Sequence, residues 1–200
     1  MTGPDSTDQW LTPEDRRWLL ALARDTVERG LDGQLAQPLD PATVPTGLDR
    51  PGAAFVTLRR GGRLLGCIGT ITPYRGLADD VAAHAFDAAF RDPRLPPVTQ
   101  RDAARMTVEI SVLGPLEPLA VRSRHELADA LRPGLDGLWI DSAAGRATFL
   151  PSVWDQVSDV DDFLDRLWAK AGIAVDHWPT DLGVARYQVV EFDDRGIDDP

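Results

Sequence analysis

A chain of 200 residues, 43% hydrophobic and 26% charged, has the size and composition of one globular domain that can bury a sizeable core. Its formal charge of -11 argues against non-specific nucleic-acid binding, which needs a positive surface to meet phosphates. No apolar run nears the roughly 18 residues of a membrane span, and the single cysteine excludes both an internal disulfide and a cysteine zinc site.

The three histidines, His84, His125 and His177, are scattered without metal-ligand spacing, so neither a metal nor a cofactor is expected. The start, MTGPDSTDQW, lacks the basic and apolar stretches of a secretory signal, which predicts a cytoplasmic protein. Twenty of the 21 basic residues are arginine, a compositional habit that takes weight off any single choice of Arg over Lys.

In chain order, residues 1 to 11 are polar and read as a flexible N-terminus ahead of one domain over 12–200. Thr12-Pro13-Glu14-Asp15 starts a helix with a hydroxyl cap, a proline in the first turn and early acids. Trp18, Leu19, Leu22 and Ala23 give that helix an apolar face, and Gly30 is placed to end it. Residues 32–51 carry four prolines and no periodicity, so an irregular connection is predicted. Residues 53–60 and 63–71 read as strands joined by the Gly61-Gly62 turn. Leu77 to Arg91 reads as a helix stopped by Asp92-Pro93, and RMTVEISVLG as a strand with alternate apolar residues. Ser123 to Glu126 is a capping-box start for a short helix. A second hairpin is predicted around Gly145, a helix over Asp161 to Ala171, and one last strand over VARYQVVEF, residues 184–192. Strands and helices mix without strict alternation and neighbouring strands are joined by short turns. The fold class is therefore α+β, with a largely antiparallel sheet and flanking helices.

The only cysteine stands in LLGCIGT between two glycines, although glycine weakens a strand. On a regular strand Leu65, Cys67 and Gly69 share one face. Gly69 would then clear space beside the sulfur, and Gly66 would admit a close backbone. The same pattern also fits a small cysteine packed in a crowded strand crossing. A nucleophilic thiol needs a cation, a histidine or a helix N-terminus beside it. His84 is a candidate, although Asp80 and Asp87 at helical spacing from it suit an ion pair equally well. Glu109 interrupts an apolar strand and either faces solvent or lines the same site.

GCIGT, then AAFRDPRLPPV, VEISVL, FLP and FLDRLWAKAGI resemble, in order and spacing, the AMMECR domain family over about Ala53 to Phe192. The resemblance implies an α+β fold with a larger and a smaller lobe and a signature, LRGCIG, lining a cleft between them. Gly66, Cys67, Ile68 and Gly69 match that signature, while Leu65 occupies the place of its arginine. An arginine there would lie about 7 Å from the cysteine on the same strand face, where it could favour a thiolate or hold an anion. Asp92-Pro93-Arg94 matches too, with Arg94 either an anion or partner contact or the mate of Asp92 in a salt bridge. Lys170-Ala171-Gly172 also matches, Lys170 being a cation in a last helical turn. The family has no well-established reaction. A Memo-like protein and a radical S-adenosylmethionine protein are the partners it implies.

Two functions follow. In the first, the GCIG strand and Arg94 form a binding module for a protein or a small ligand of unknown identity, with Gly66, Ile68, Gly69 and Arg94 as contacts. In the second, Cys67 is a nucleophile or carrier thiol assisted by Glu109 or His84. Leu65 in place of the arginine favours the first, because a thiol without a nearby cation is mostly protonated at neutral pH.

Overall fold

A computed structural model of the chain describes residues 11–35 and 37–196. Residues 1–10 of the expected flexible start lie outside the described residues, while Leu11 is buried in the core at 3% exposure. The fold is α+β and divides into two compact units, one drawn from Met1–Leu113 with Val190–Pro200 and the other from Gly114–Val189. The first unit contributes α1 (Pro13–Leu31), β1 (Pro51–Arg60), β2 (Arg63–Gly69), β3 (Arg75–Gly76), α2 (Leu77–Phe90), α3 (Gln100–Ala103) and β4 (Thr107–Leu113). The second contributes β5 (Glu117–Pro118), α4 (Arg124–Ala130), β6 (Gly137–Ser142), β7 (Gly145–Phe149), α5 (Val160–Lys170) and β8 (Gly183–Tyr187), and β9 (Val189–Asp193) returns to the first. No helix among the described residues is long and apolar enough to cross a membrane.

α1 begins where its sequence signals. The Thr12 hydroxyl accepts the Asp15 N–H at 3.1 Å and the Asp15 carboxylate accepts the Thr12 N–H at 2.9 Å, satisfying two donors that a helix start leaves open. The first sheet runs β2-β1-β4-β9, with β3 pairing the start of β1. Ala54, Val56 and Leu58 of β1 and Val108, Ile110 and Val112 of β4 turn to one face, where Val81, Ala85 and Ala88 of α2 and Leu19, Ala23 and Val27 of α1 close the core. Each fully buried Val, Leu or Ile there is worth about 1.5 to 3 kcal/mol.

The hairpin from β1 to β2 is irregular at one point. Arg60 pairs with Arg63 and Arg59 with Leu64, but Leu58 then pairs with Gly66, leaving Leu65 as the extra residue of a bulge. Beyond it every β2 side chain meets a β1 partner one place away from the one that an uninterrupted two-residue hairpin would supply. Regular alternation set Leu65 on the face of Cys67. The bulge instead turns Leu65, 7% exposed, into the helix-side core.

In the second unit the sheet order is β5-β8-β6-β7. α5 buries Phe163, Leu164, Leu167 and Trp168 completely, in a cluster with Leu127 of α4 and Leu138 and Ile140 of β6. Trp154 stacks flat on Phe163 at 3.9 Å between ring centroids. The single final strand expected over 184–192 is in fact two. β8 pairs with β5 and β6, β9 belongs to the other sheet, and the carbonyl oxygen of Gln188 between them accepts the Gly114 N–H at 2.8 Å. Both halves have strand-like composition, so nothing local marks the break.

Candidate functional site

Cys67 lies on β2, the edge strand of the first sheet, and is half-buried. An edge strand leaves alternate backbone N–H and C=O groups without a sheet partner. At Cys67 both are taken by the loop after α2: its N–H donates to Asp92 Oδ2 at 3.0 Å, and its carbonyl accepts from Arg94 Nη2 at 2.7 Å. The Asp-Pro-Arg turn thus does at this residue what another strand would do. Arg94 also donates to Asp92 through Nε at 2.8 Å and Nη2 at 2.7 Å, and its own N–H reaches Asp92 Oδ1 at 3.1 Å. The Asp92 side chain is 1% exposed and that of Arg94 61%. The Arg94 bond holds the Asp92 carboxyl well below the usual carboxylate range, against its burial, which acts the other way. The same bond raises the Arg94 guanidinium above its ordinary value, and the Cys67 side chain adds a smaller contribution of the same sign. The contact that Arg94 makes with Cys67 is thus to its backbone carbonyl.

On the face opposite the helices, the register sets Cys67 beside Thr57 and Thr57 beside Glu109, one row across β2, β1 and β4. The Thr57 hydroxyl lies 3.3 Å from Cys67 Sγ, placed to donate to it. Glu109 is two strands from Cys67, on the order of 10 Å at the backbone, and its carboxylate lies 3.6 Å from Arg59 Nε. One row along, the Ser111 hydroxyl bonds the Glu191 carboxylate at 3.1 Å. The sequence reading missed Thr57, because an uninterrupted Gly61-Gly62 hairpin sets Val56 opposite Cys67. Only the bulge brings the hydroxyl there.

The glycines answer to packing at their own Cβ positions. A Cβ on Gly66 would stand 1.8 Å from the Ala88 carbonyl oxygen, so α2 crosses β2 at a distance only glycine allows. A Cβ on Gly69 would stand 2.3 Å from the Phe55 ring and 2.5 Å from the Ala54 carbonyl. The space expected to be open beside the sulfur is filled by the cross-strand aromatic. Ile68 packs against the helix-side core.

His84 stands apart from this group, on α2. It is 6% exposed, with Nε2 3.3 Å from Asp80 Oδ1 and 3.5 Å from Arg75 Nη2. Asp80 is fully buried and also accepts the Ala54 N–H at 3.0 Å and Arg75 Nε at 2.9 Å. The contact with Asp80 expected for His84 exists, but inside the protein, and Asp80 in turn ties α2 to β1 through the Ala54 N–H. Lys170, in the last turn of α5, donates to the Thr148 carbonyl at 2.9 Å and lies 5.1 Å from the Phe149 ring centroid. Among the described residues, no group of three or more His, Cys, Asp or Glu side chains is placed to hold a metal.

A family model, AMMECR1, matches residues 20–192. The chain belongs to the AMMECR1 family. A Methanothermobacter thermautotrophicus protein is 35% identical over 188 residues, 93% of this chain and 97% of its own length. One from Thermofilum pendens is 36% identical over 91% of each. The crystal structure of the uncharacterized protein PH0010 from Pyrococcus horikoshii is similar at a TM-score of 0.84 and 30% identity, over 93% of this chain and 94% of that one. In this AMMECR1 chain two motifs far apart in sequence, Gly66-Cys67-Ile68-Gly69 and Asp92-Pro93-Arg94, form one hydrogen-bonded unit.

Proposed function

We propose that this AMMECR1 protein is a binding module whose contact surface centres on Arg94 and the Cys67 strand, and that it recognises an acidic group on a protein partner or small ligand. The observation that supports this is the state of Arg94. The residue is anchored to a buried carboxylate and to the Cys67 carbonyl while most of its side chain meets solvent. A guanidinium held in this way loses little freedom on binding. A Memo-like protein and a radical S-adenosylmethionine protein are the first partners to test. Arg94→Ala should abolish co-purification with such a partner while Cys67→Ser preserves it. Binding lost with Cys67→Ser and kept with Arg94→Ala would refute the reading.

The second reading, a Cys-dependent enzyme or enzyme component, draws support from the Thr57 hydroxyl 3.3 Å from Sγ, with Arg94 on the carbonyl of the same residue. Against it, His84 pairs with Asp80 and Glu109 is directed to Arg59, so neither of the two candidate bases has a hydrogen bond to the sulfur among the described residues. The rate of Cys67 alkylation against pH in the native protein separates the two. Fast alkylation well below pH 8 favours the enzyme, and slow alkylation that appears only on unfolding favours the binding module.

A further inference from the structure

Away from Cys67, three distant stretches of the first unit bring four arginines to one cavity of about 610 Å³. On α1, Arg17, Ala21 and Arg24 fall at i, i+4 and i+7, hence on one face, with the two arginines about 10 Å apart along the axis. Arg105 comes from the turn before β4, and Arg195 from the short helix Asp194–Gly196 that follows β9. Ala21 and Ala104 line the cavity among them, so small side chains leave room between the charges.

Two of the four are anchored. Arg24 donates through Nη2 to the Met106 carbonyl at 2.8 Å and pairs with Asp194, whose other oxygen accepts the Val108 N–H at 3.0 Å. Arg195 is held by Asp193, which raises its guanidinium above the ordinary value. The guanidinium groups of Arg17 and Arg105 have no hydrogen-bonding or acidic partner among the described residues. This is notable in a chain where 32 acidic residues face 21 basic ones and most arginines find a carboxylate. Four guanidinium groups against three carboxylates, Asp193, Asp194 and Glu109, which also acts on Arg195, leave a local positive excess on a protein of net charge -11, and a concavity focuses such a field.

The chemistry of that excess selects a ligand class. Planar guanidinium groups match phosphate oxygens two at a time, and the separation of Arg17 from Arg24 exceeds the span of one phosphate. The volume is in the range of small-molecule sites and suits a compact ligand better than an extended peptide. We propose that this cavity binds a small molecule carrying a chain of two or more phosphoryl groups.

The test is calorimetric titration of the full chain with inorganic tripolyphosphate at about 0.15 M salt. The expected result is one saturable site with a dissociation constant on the order of 100 μM or tighter. The double variant Arg17→Ala/Arg105→Ala, at exposed positions and without lost partners, should keep the fold by circular dichroism and weaken binding about ten-fold or more. The double variant Arg63→Ala/Arg122→Ala changes net charge equally and should alter the affinity less than about two-fold. Three outcomes overturn the proposal: no saturable binding up to about 1 mM, equal weakening in both double variants, or an oligoglutamate peptide that binds more tightly than tripolyphosphate.

Discussion

Removing the Asp92 carboxylate tests whether the Asp-Pro-Arg turn holds the edge of the sheet. Asp92 accepts from the Cys67 N–H, the Arg94 N–H, Arg94 Nε and Arg94 Nη2 at 2.7 to 3.1 Å. In Asp92→Ala the part-buried Cys67 N–H loses its acceptor, which costs about 1 to 3 kcal/mol. Arg94 is 61% exposed and rehydrates, so the lost ion pair adds only about 1 kcal/mol or less. The expected destabilisation is about 2 to 4 kcal/mol, a fall of about 1 to 2 M in the urea midpoint. Tryptophan emission mixes the two units, because Trp18 packs on the core of the first while Trp139, Trp154, Trp168 and Trp178 lie in the second. Amide hydrogen exchange of β1 and β2 against urea reports on the correct one. A loss below about 1 kcal/mol would refute the reasoning. Asp92→Asn adds a pH arm. Since the folded carboxyl titrates below its unfolded value, its contribution is complete above about pH 4 and is lost as the pH falls further. The stability gap between wild type and Asp92→Asn should therefore shrink from pH 6 toward pH 3. A gap constant over that window would assign the stability to shape rather than charge.

Gly66→Ala sets a Cβ against the Ala88 carbonyl at 1.8 Å, a backbone atom that cannot swing aside. It should cost about 1 to 3 kcal/mol by thermal unfolding, and an unchanged melting temperature would mean that α2 shifts freely over β2. Thr57→Val removes the hydroxyl 3.3 Å from Sγ in a position that favours β-branched residues. Stability should change by about 1 kcal/mol or less, while alkylation of Cys67 at neutral pH slows; an unaltered rate would show that the hydroxyl does not act on the sulfur. Leu65→Arg, which restores the residue the family signature carries, buries a charge at a 7% exposed position and should destabilise by about 2 to 4 kcal/mol. Faster Cys67 alkylation with an unchanged urea midpoint would show that the bulge lets this side chain turn to the other face.

Much of the fold was legible in the sequence because its signals are local. Thr12-Pro13, Ser123 and Gly61-Gly62 each act over three or four residues, and the structure starts its helices and its first hairpin there. The order of five motifs carried the family and the α+β class in the same way. What the letters could not show depends on the register and on contacts between distant segments. The bulge at Leu65 shifts one strand by one place, and that shift alone decides that Thr57 rather than Val56 meets Cys67 and that Leu65 faces the core. Its cause is collective, since β2 must fit its Gly66 under α2 while keeping the hairpin turn. The splitting of residues 184–192 between two sheets and the meeting of Arg17, Arg105 and Arg195 have the same character. Chain propensity determined which segments became helices and strands; close packing between them decided which side chains share a face, and with it the chemistry at Cys67 and at the arginine cavity.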